Sequence, residues 1–198
     1  MLTNILHLII FTLMSLFLVI VIMRFLLQVV RADFYNPVSQ SIVKITMPFL
    51  KPLRKLIPGF LGIDMASIVL ILLVQLVATL LLSLVHGVPE VFTNPLLVLL
   101  WGFVGALSII SNIFFWCMVI TIIGSFLAQF SHHPLIMLAN QIIDPLCAPI
   151  RRIIPPLGGV IDISPIIILL GLKIVDMLVV RLAMLVQLNP QIVLGYWS

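Results

Sequence analysis

Long stretches without a charge constrain this chain more than any other feature. Ile5 to Met23 runs for 19 residues with no Asp, Glu, Lys or Arg and Met65 to Val85 for 21, and none stands between Glu90 and Asp144. About 20 apolar residues in a helix, rising 1.5 Å each, cross a hydrocarbon core of roughly 30 Å. Composition closes the soluble alternative: 8% of the 198 residues are charged and 63% hydrophobic, against roughly 25% charged in an average soluble domain. A water-soluble bundle built from such blocks would need a second protein layer to cover them. The first block is expected to be a retained membrane helix, not a secretory signal. Residues 1–7 hold no Lys or Arg, and the apolar run exceeds the usual signal core of about 7–15 residues.

An internal repeat organises the rest. Asn36 to Leu73 reads NPVSQSIVKITMPFLKPLRKLIPGFLGIDMASIVLILL, and His133 to Leu170 reads HPLIMLANQIIDPLCAPIRRIIPPLGGVIDISPIIILL. Without a gap, Pro37, Pro48, Pro52 and Pro58 match Pro134, Pro145, Pro149 and Pro155, and Arg54-Lys55 match Arg151-Arg152. One further residue in the second copy aligns Ile63-Asp64 with Ile161-Asp162. Upstream, Phe25-Leu26 and Gln28 align with Phe126-Leu127 and Gln129 if the second loop is shorter by four residues. The expected fold is therefore an all-α membrane protein with four transmembrane helices, arranged as two parallel helix–loop–helix repeats with interfacial Pro/basic loops. The first repeat covers residues 1–90, with spans near 5–30 and 65–86. The second covers 106–198, with spans near 106–130 and 164–187. Residues 91–105, which contain Asn94-Pro95, Gly102 and Gly105, are expected to be a linker lying on or dipping into the membrane.

Orientation follows from charge. Arg31, Lys44, Lys51, Arg54 and Lys55 lie in the first long loop and Arg151 and Arg152 in the second, while the linker carries Glu90 and no Lys or Arg. Positive charge stays cytoplasmic. Both loops are expected on that side, with both termini outside.

These residues resemble the YggT family, called Ycf19-like in plastids. Its unit carries Pro-x3-Pro-[Leu/Ile]-Arg-[Lys/Arg] and then Pro-x-Gly-Gly-x-Asp-x-Ser-Pro at a helix start. The second copy, PLCAPIRRIIPPLGGVIDISP, fits that pattern almost throughout. The first departs from it, with Gly59-Phe60-Leu61-Gly62 in the glycine turn and Asp64-Met65-Ala66-Ser67 at the helix start. The resemblance implies a non-enzymatic membrane protein. Plastid relatives are associated with cytochrome assembly and with nucleoid or division organisation, and bacterial ones with the envelope and osmotic tolerance.

Within each loop, apolar residues recur at helical spacing: Val38, Ile42, Ile45 and Phe49, then Leu135, Ala139, Ile142 and Leu146. A helix with such a face can lie in the interface, and Pro48 and Pro52 are expected to break the first one. Arg54, Lys55, Arg151 and Arg152 then sit near lipid phosphates. They read either as topology signals or as sites for headgroup or partner docking, each adding roughly 1 kcal/mol near an anionic surface. In the turn that follows, Gly158-Gly159 allow a tight reversal. Ser164 is expected to cap the last helix, with Pro165 in its first turn. Asp162 sits beside that N-terminus within reach of Arg151 or Arg152, and Asp64 and Ser67 do similar work in the first copy.

The polar residues inside the spans are Arg24, Gln75, Lys173, Asp176 and Arg181. Lys173 and Asp176 share a helical face and are expected to neutralise each other inside the bundle or to line a transport path. Arg24 and Arg181 are expected to snorkel. Cys117 reads as packing, Cys147 as a surface thiol, and His132-His133 as a solvated loop. No nucleophile–base pair, phosphate loop or metal spacing occurs, so no enzyme activity, cofactor or metal is expected. The +4 balance suits anionic lipid headgroups and not nucleic acid, because the positive charges are dispersed. The expected partners are the bilayer itself, with other membrane proteins or a second copy of the chain as protein candidates. The expected role is a scaffold or assembly factor of the bacterial inner membrane. The alternative is a channel or transporter subunit for an ion or osmolyte.

Overall fold

The computed structural model describes residues 1–60, 62–126, 133–155 and 162–195. They form seven helices: α1 Leu2–Val29, α2 Pro37–Leu56, α3 Met65–His86, α4 Glu90–Thr93, α5 Pro95–Phe126, α6 Pro134–Ile153 and α7 Ser164–Leu185. No β-strand occurs among the described residues; a single bridge joins Phe60 and Ile63. Three helices, α1, α3 and α5, are long and apolar enough to cross a membrane. The last helix, α7, is also 22 residues long, but Lys173, Asp176 and Arg181 lower its apolar character.

Local chemistry sets the boundaries. Asn36 caps α2 by accepting from the Val38 N–H at 2.9 Å, and Pro37 follows at a position whose N–H has no helical partner anyway. His133 caps α6 in the same way through Leu135, with Pro134 next. Both helices stop where a residue precedes a proline. Ile57 before Pro58 has φ −120° and ψ 103°, and Ile154 before Pro155 has φ −123° and ψ 92°, the extended region that a following proline ring enforces. At the far end of α3, Gly87 adopts φ 66° and returns its N–H to the Ser83 carbonyl, a left-handed cap that glycine takes without strain.

Two expectations about breaks are corrected. Pro48 and Pro52 lie inside α2, as Pro145 and Pro149 do inside α6, and neither helix ends there. All four prolines face outward. In α2 they lie opposite the buried stripe of Ser39, Ile42, Thr46 and Leu50. The missing N–H groups therefore weaken only the outer side, where freed carbonyls can meet water, while the packed side holds the helix. The expected linker over 91–105 is likewise helical almost throughout. After the short α4, Asn94 accepts from the Leu97 N–H at 3.2 Å, and α5 runs from Pro95 for 32 residues, about 48 Å. Gly102 and Gly105 do not interrupt it. A Cβ on Gly105 would stand 2.1 Å from Gln75 Nε2 and 2.6 Å from the Leu194 carbonyl. Glycine is there for close approach.

The expected apolar stripes are partly shifted. In α2 only Ile42 of the expected four is buried, whereas Ile45 and Phe49 are about half exposed. In α6, Leu138, Ala139, Ile142, Ile143 and Cys147 face the core. Cys147 is thus 1% exposed and not a surface thiol, and burial raises its pKa. Cys117 is buried as expected.

In the bundle α1 packs on α3, α5 on α7, and α3 on α5, with α2, against α1 and α3, and α6, against α5 and α7, as the cross-helices. The two cross-helices meet: Asn36 Nδ2 donates to the Pro134 carbonyl at 2.8 Å, and the Asp33 N–H to Gln141 Oε1 at 3.0 Å. They therefore lie on one side of the bundle. At the opposite end His86 Nε2 and His7 Nδ1 stand 2.9 Å apart, tying the end of α3 to the start of α1. Central in the bundle, α3 buries Leu70, Ile71, Val74, Gln75, Ala78, Thr79, Leu82 and Ser83 as a double stripe. By contrast α7 buries only Ser164, Ile168, Val179 and Ala183.

The chain does not end at α7. Residues 186–195 fold back between α3 and α5, with Ile192, Val193 and Leu194 wholly buried. Gln75 Nε2 donates to the Leu194 carbonyl (3.0 Å), Ser108 Oγ to that of Gly195 (2.7 Å) and Trp101 Nε1 to that of Val186 (2.8 Å). Irregular backbone at membrane depth is tolerated where protein surrounds it.

Candidate functional site

Each half of the chain closes its cross-helix onto the next long helix with an arginine–aspartate clasp. The geometry follows from the element ends: α2 stops at Ile57, and a short reversal brings Asp64 to the first turn of α3 beneath the last turn of α2. Arg54 Nε and Nη2 both donate to Asp64 Oδ2, at 3.1 and 2.5 Å, and Ser67 Oγ donates to the same oxygen at 2.8 Å. With its amide nitrogen turned toward the carboxylate, Gln28 adds a fourth donor at 3.2 Å, and its oxygen accepts from the Asp64 N–H. Burial of Asp64 opposes its charge, but Arg54 and Ser67 outweigh that and hold the carboxyl below its usual pKa. Asp64 precedes α3 but makes no side-chain capping bond to it, unlike the cap expected there; instead it and Ser67 join one network with Arg54, to which Gln28 adds α1.

The second clasp is related but looser. Arg151 Nε donates to Asp162 Oδ2 and its Nη1 to Asp144 Oδ1, each at 2.8 Å. Asp162 Oδ1 accepts from the Ser164 N–H at 2.8 Å. Its pKa is again low: slight burial raises it, and the Ser164 and Arg151 donors more than reverse that. The hydrogen bond that Arg151 donates to Asp162 raises the Arg151 pKa against a smaller desolvation effect, and the charge of Asp162 adds to the rise. The expected cap is corrected here. Ser164 is already the first residue of α7, its hydroxyl is buried without a partner, and the Asp162 carboxylate serves the helix start instead. Gly158 and Gly159 lie outside the described residues, as does His132. Lys55 and Arg152 are exposed.

Arg24 departs from expectation. It does not reach water by snorkelling: it is 7% exposed, its Nη1 has no acceptor, and the Phe34 ring centroid lies 5.6 Å from its guanidinium carbon. It lines a cleft with Gln28, Arg54, Gly59, Gly62 and Asp64.

The charges of α7 also depart from expectation. Lys173 and Asp176 do pair, at 3.8 Å, but their side chains are 63% and 48% exposed, so the pair faces out of the bundle. Lys173 lies 4.9 Å from the Phe115 ring centroid, and with Asp176, Ser111, Asn112, Trp116 and Leu172 it borders a notch of about 210 Å³. Arg181 is exposed as well. With Asp64 set against Asp162, these three charges stand where α3 carries Gln75, Ala78 and Ser83, all fully buried. The face that α3 presents to its neighbours is, on α7, charged and uncovered. Sequence reasoning placed Gln28 in the repeat but not in the site, and did not identify Asp144, the Asn36 and His133 caps or the infolded tail. Only the caps had a local signal, Asn-Pro and His-Pro at matching places.

A group of three or more His, Cys, Asp or Glu side chains able to hold a metal is absent among the described residues. Comparison with known proteins adds a family and no activity. The CCB3/YggT family model matches residues 3–85 and again 100–183. Pseudomonas aeruginosa uncharacterized protein PA0392 is 46% identical over 170 residues, covering 86% of this chain and 85% of its own length. The Vibrio alginolyticus uncharacterized protein in proC 3'region is 38% identical over 171 residues, 84% of this chain and 89% of that protein. Uncharacterized protein YggT of Escherichia coli K12 is 35% identical over 167 residues, 84% of each chain. No solved structure matches. With a family model matched in both halves and relatives aligned over most of its length, this chain belongs to the CCB3/YggT family.

Proposed function

We propose that this protein is a non-enzymatic scaffold or assembly factor of the bacterial inner membrane. Its four spans α1, α3, α5 and α7 form two parallel units, and α2 and α6 lie on the cytoplasmic headgroups. Envelope or osmotic-stress maintenance is the process this role would serve. The orientation rests on the clustering of Arg and Lys around α2 and α6.

One observation carries the reading: the uncovered charged face of α7. Lys173 is the tenth residue of that helix, so it lies about 14 Å in, near the bilayer centre. A lone charge there costs roughly 2.5–3.5 kcal/mol. An ion pair 3.8 Å wide that is about half exposed offsets only part of that against lipid. A helix of another protein, packed where α3 has its neighbours, would remove the rest. The test is a photoreactive side chain at Met177, which is 69% exposed beside the pair. We expect a discrete protein adduct in intact membranes that disappears in the Lys173→Gln, Asp176→Asn double variant. Adducts to lipid alone would refute partner docking, and a doubled chain mass would identify a second copy as the partner.

The same pair supports a second reading, an ion or osmolyte conduit, because a polar notch lined by Ser111 and Asn112 adjoins it. Reconstituted vesicles would then show flux that Asp176→Asn abolishes. Wild-type vesicles as tight as protein-free ones would dispose of it.

A further inference from the structure

We infer that the cleft between Arg24 and Arg54 is a binding site for one phosphate group, of the class carried by phospholipid headgroups. The inference deepens the proposed contact of α2 with headgroups and rests on it. Five residues from the end of α1, about 8 Å along the axis, Arg24 reaches the junction of α1, α2 and the start of α3. There it lines an open cleft of about 570 Å³ with Gln28, Arg54, Gly59, Gly62 and Asp64.

The charge count in that cleft is unbalanced. Two guanidinium groups face one carboxylate, and that carboxylate is already engaged. Asp64 Oδ2 takes both Arg54 donors and the Ser67 hydroxyl, with Gln28 on the same atom. Among the described residues nothing accepts a hydrogen bond from Arg24, although it is more than nine-tenths buried and its Nη1 is wholly shielded. A guanidinium carries five donors and stays charged at any relevant pH, and a buried charge without acceptors is costly. The Phe34 ring beneath it supplies attraction but no acceptor. An anion in the cleft would supply the missing negative charge beside Arg24 and offset its repulsion with Arg54. A tetrahedral phosphate matches the planar fork of each arginine, and at a headgroup surface phosphate is the abundant anion.

Among the described residues the site occurs once. In the repeat alignment Ser125 takes the place of Arg24, and the second clasp gives Arg151 two carboxylates, Asp144 and Asp162. There the charge balance runs the other way. Duplicated elements have diverged into one anion-seeking cleft and one self-satisfied clasp.

The experiment is native mass spectrometry of the full chain released from detergent after titration with dioleoyl phosphatidylglycerol, dioleoyl phosphatidylcholine or inorganic phosphate. We expect the wild type to hold one phospholipid more tightly than later ones. Arg24→Gln should weaken that first adduct at least about tenfold, the loss of a charge-assisted fork. Lys44→Gln, which removes one charge from the exposed side of α2, should retain it. Competition by millimolar phosphate would show that the phosphate group alone suffices; binding of both lipids without competition would assign the site to lipid. An equally tight first adduct in Arg24→Gln, or no preferred first adduct in the wild type, overturns the inference. Persistence of the later, weaker adducts in that case would leave headgroup contact by α2 and α6 intact. If Arg24→Gln fails to fold, Arg24→Lys keeps the charge without the fork, and affinity equal to wild type would be equally fatal.

Discussion

Asp64 and Asp162 occupy matched places at the starts of α3 and α7, yet their surroundings grade their importance. Asp64 is almost buried and Asp162 about a quarter exposed. Removing the partner of a buried carboxylate leaves a desolvated charge, whereas an exposed one recovers water. Arg54→Gln is therefore expected to cost about 1–3 kcal/mol, read as the detergent-solubilised thermal midpoint, and Arg151→Gln clearly less. The pH dependence has a definite sign. Both carboxyls titrate below their usual value in the folded protein, so their contribution is complete above the ordinary carboxylate pKa of about 4. It is lost as pH falls through the lowered folded values. Acidification below about pH 4 should lower the midpoint, and Asp64→Asn should flatten that dependence. At Gly105 the constraint is steric: a Cβ would collide with Gln75 and the Leu194 carbonyl. Gly105→Ala should cost about 1–3 kcal/mol, as overpacking does, while leaving helical circular dichroism near wild type.

At the scale of elements, prolines divide into those that stop a helix and those it carries through. Pro58 and Pro155 end α2 and α6, whereas Pro48, Pro52, Pro145 and Pro149 ride on the outer face of helices anchored from the other side. A helix-interior proline is about 3 kcal/mol worse than alanine intrinsically. Pro48→Ala is therefore expected to raise the thermal midpoint, and a fall would mean that the outer side of α2 needs its freed carbonyl. The repeat was legible because its prolines and basic pairs recur in the same order, and the nearness of Asp162 to Arg151, with Asp64 in the matching place, because those residues lie close along the chain. Helical packing was not. The shift of the α2 stripe and the burial of Cys147 depend on which neighbour lies across the helix, and an apolar residue facing lipid reads the same as one facing protein.

For the whole molecule, the decisive asymmetry lies between α3 and α7. One is enclosed by α1, α2 and α5; the other borders α5 and α6 and leaves Lys173, Asp176 and Arg181 outside. Part of the enclosure of α3 comes from the infolded tail, which no periodicity announced. Ending the chain after Val186 would remove wholly buried Ile192, Val193 and Leu194 and leave Gln75 and Ser108 without acceptors. Burying such side chains is worth about 1.5–3 kcal/mol each in water, and packing within a membrane depends on the same contacts. The truncated chain should show faster protease cleavage around α4 and a lower midpoint. Unchanged behaviour would mean that the tail is dispensable to the bundle.

Sequence alone determined the helical, apolar character of the long blocks, the two-fold recurrence, and the chemistry of the junctions between each cross-helix and the helix that follows it. Charge density, hydropathy and proline spacing act locally, and the chain must obey them in any arrangement. Which copy of a repeated helix became the centre, whether Lys173 and Asp176 faced inward, and how Arg24 came to lie buried beside an already occupied Asp64 were settled only by tertiary structure. Equivalent sequences acquire different burial once unlike neighbours close around them.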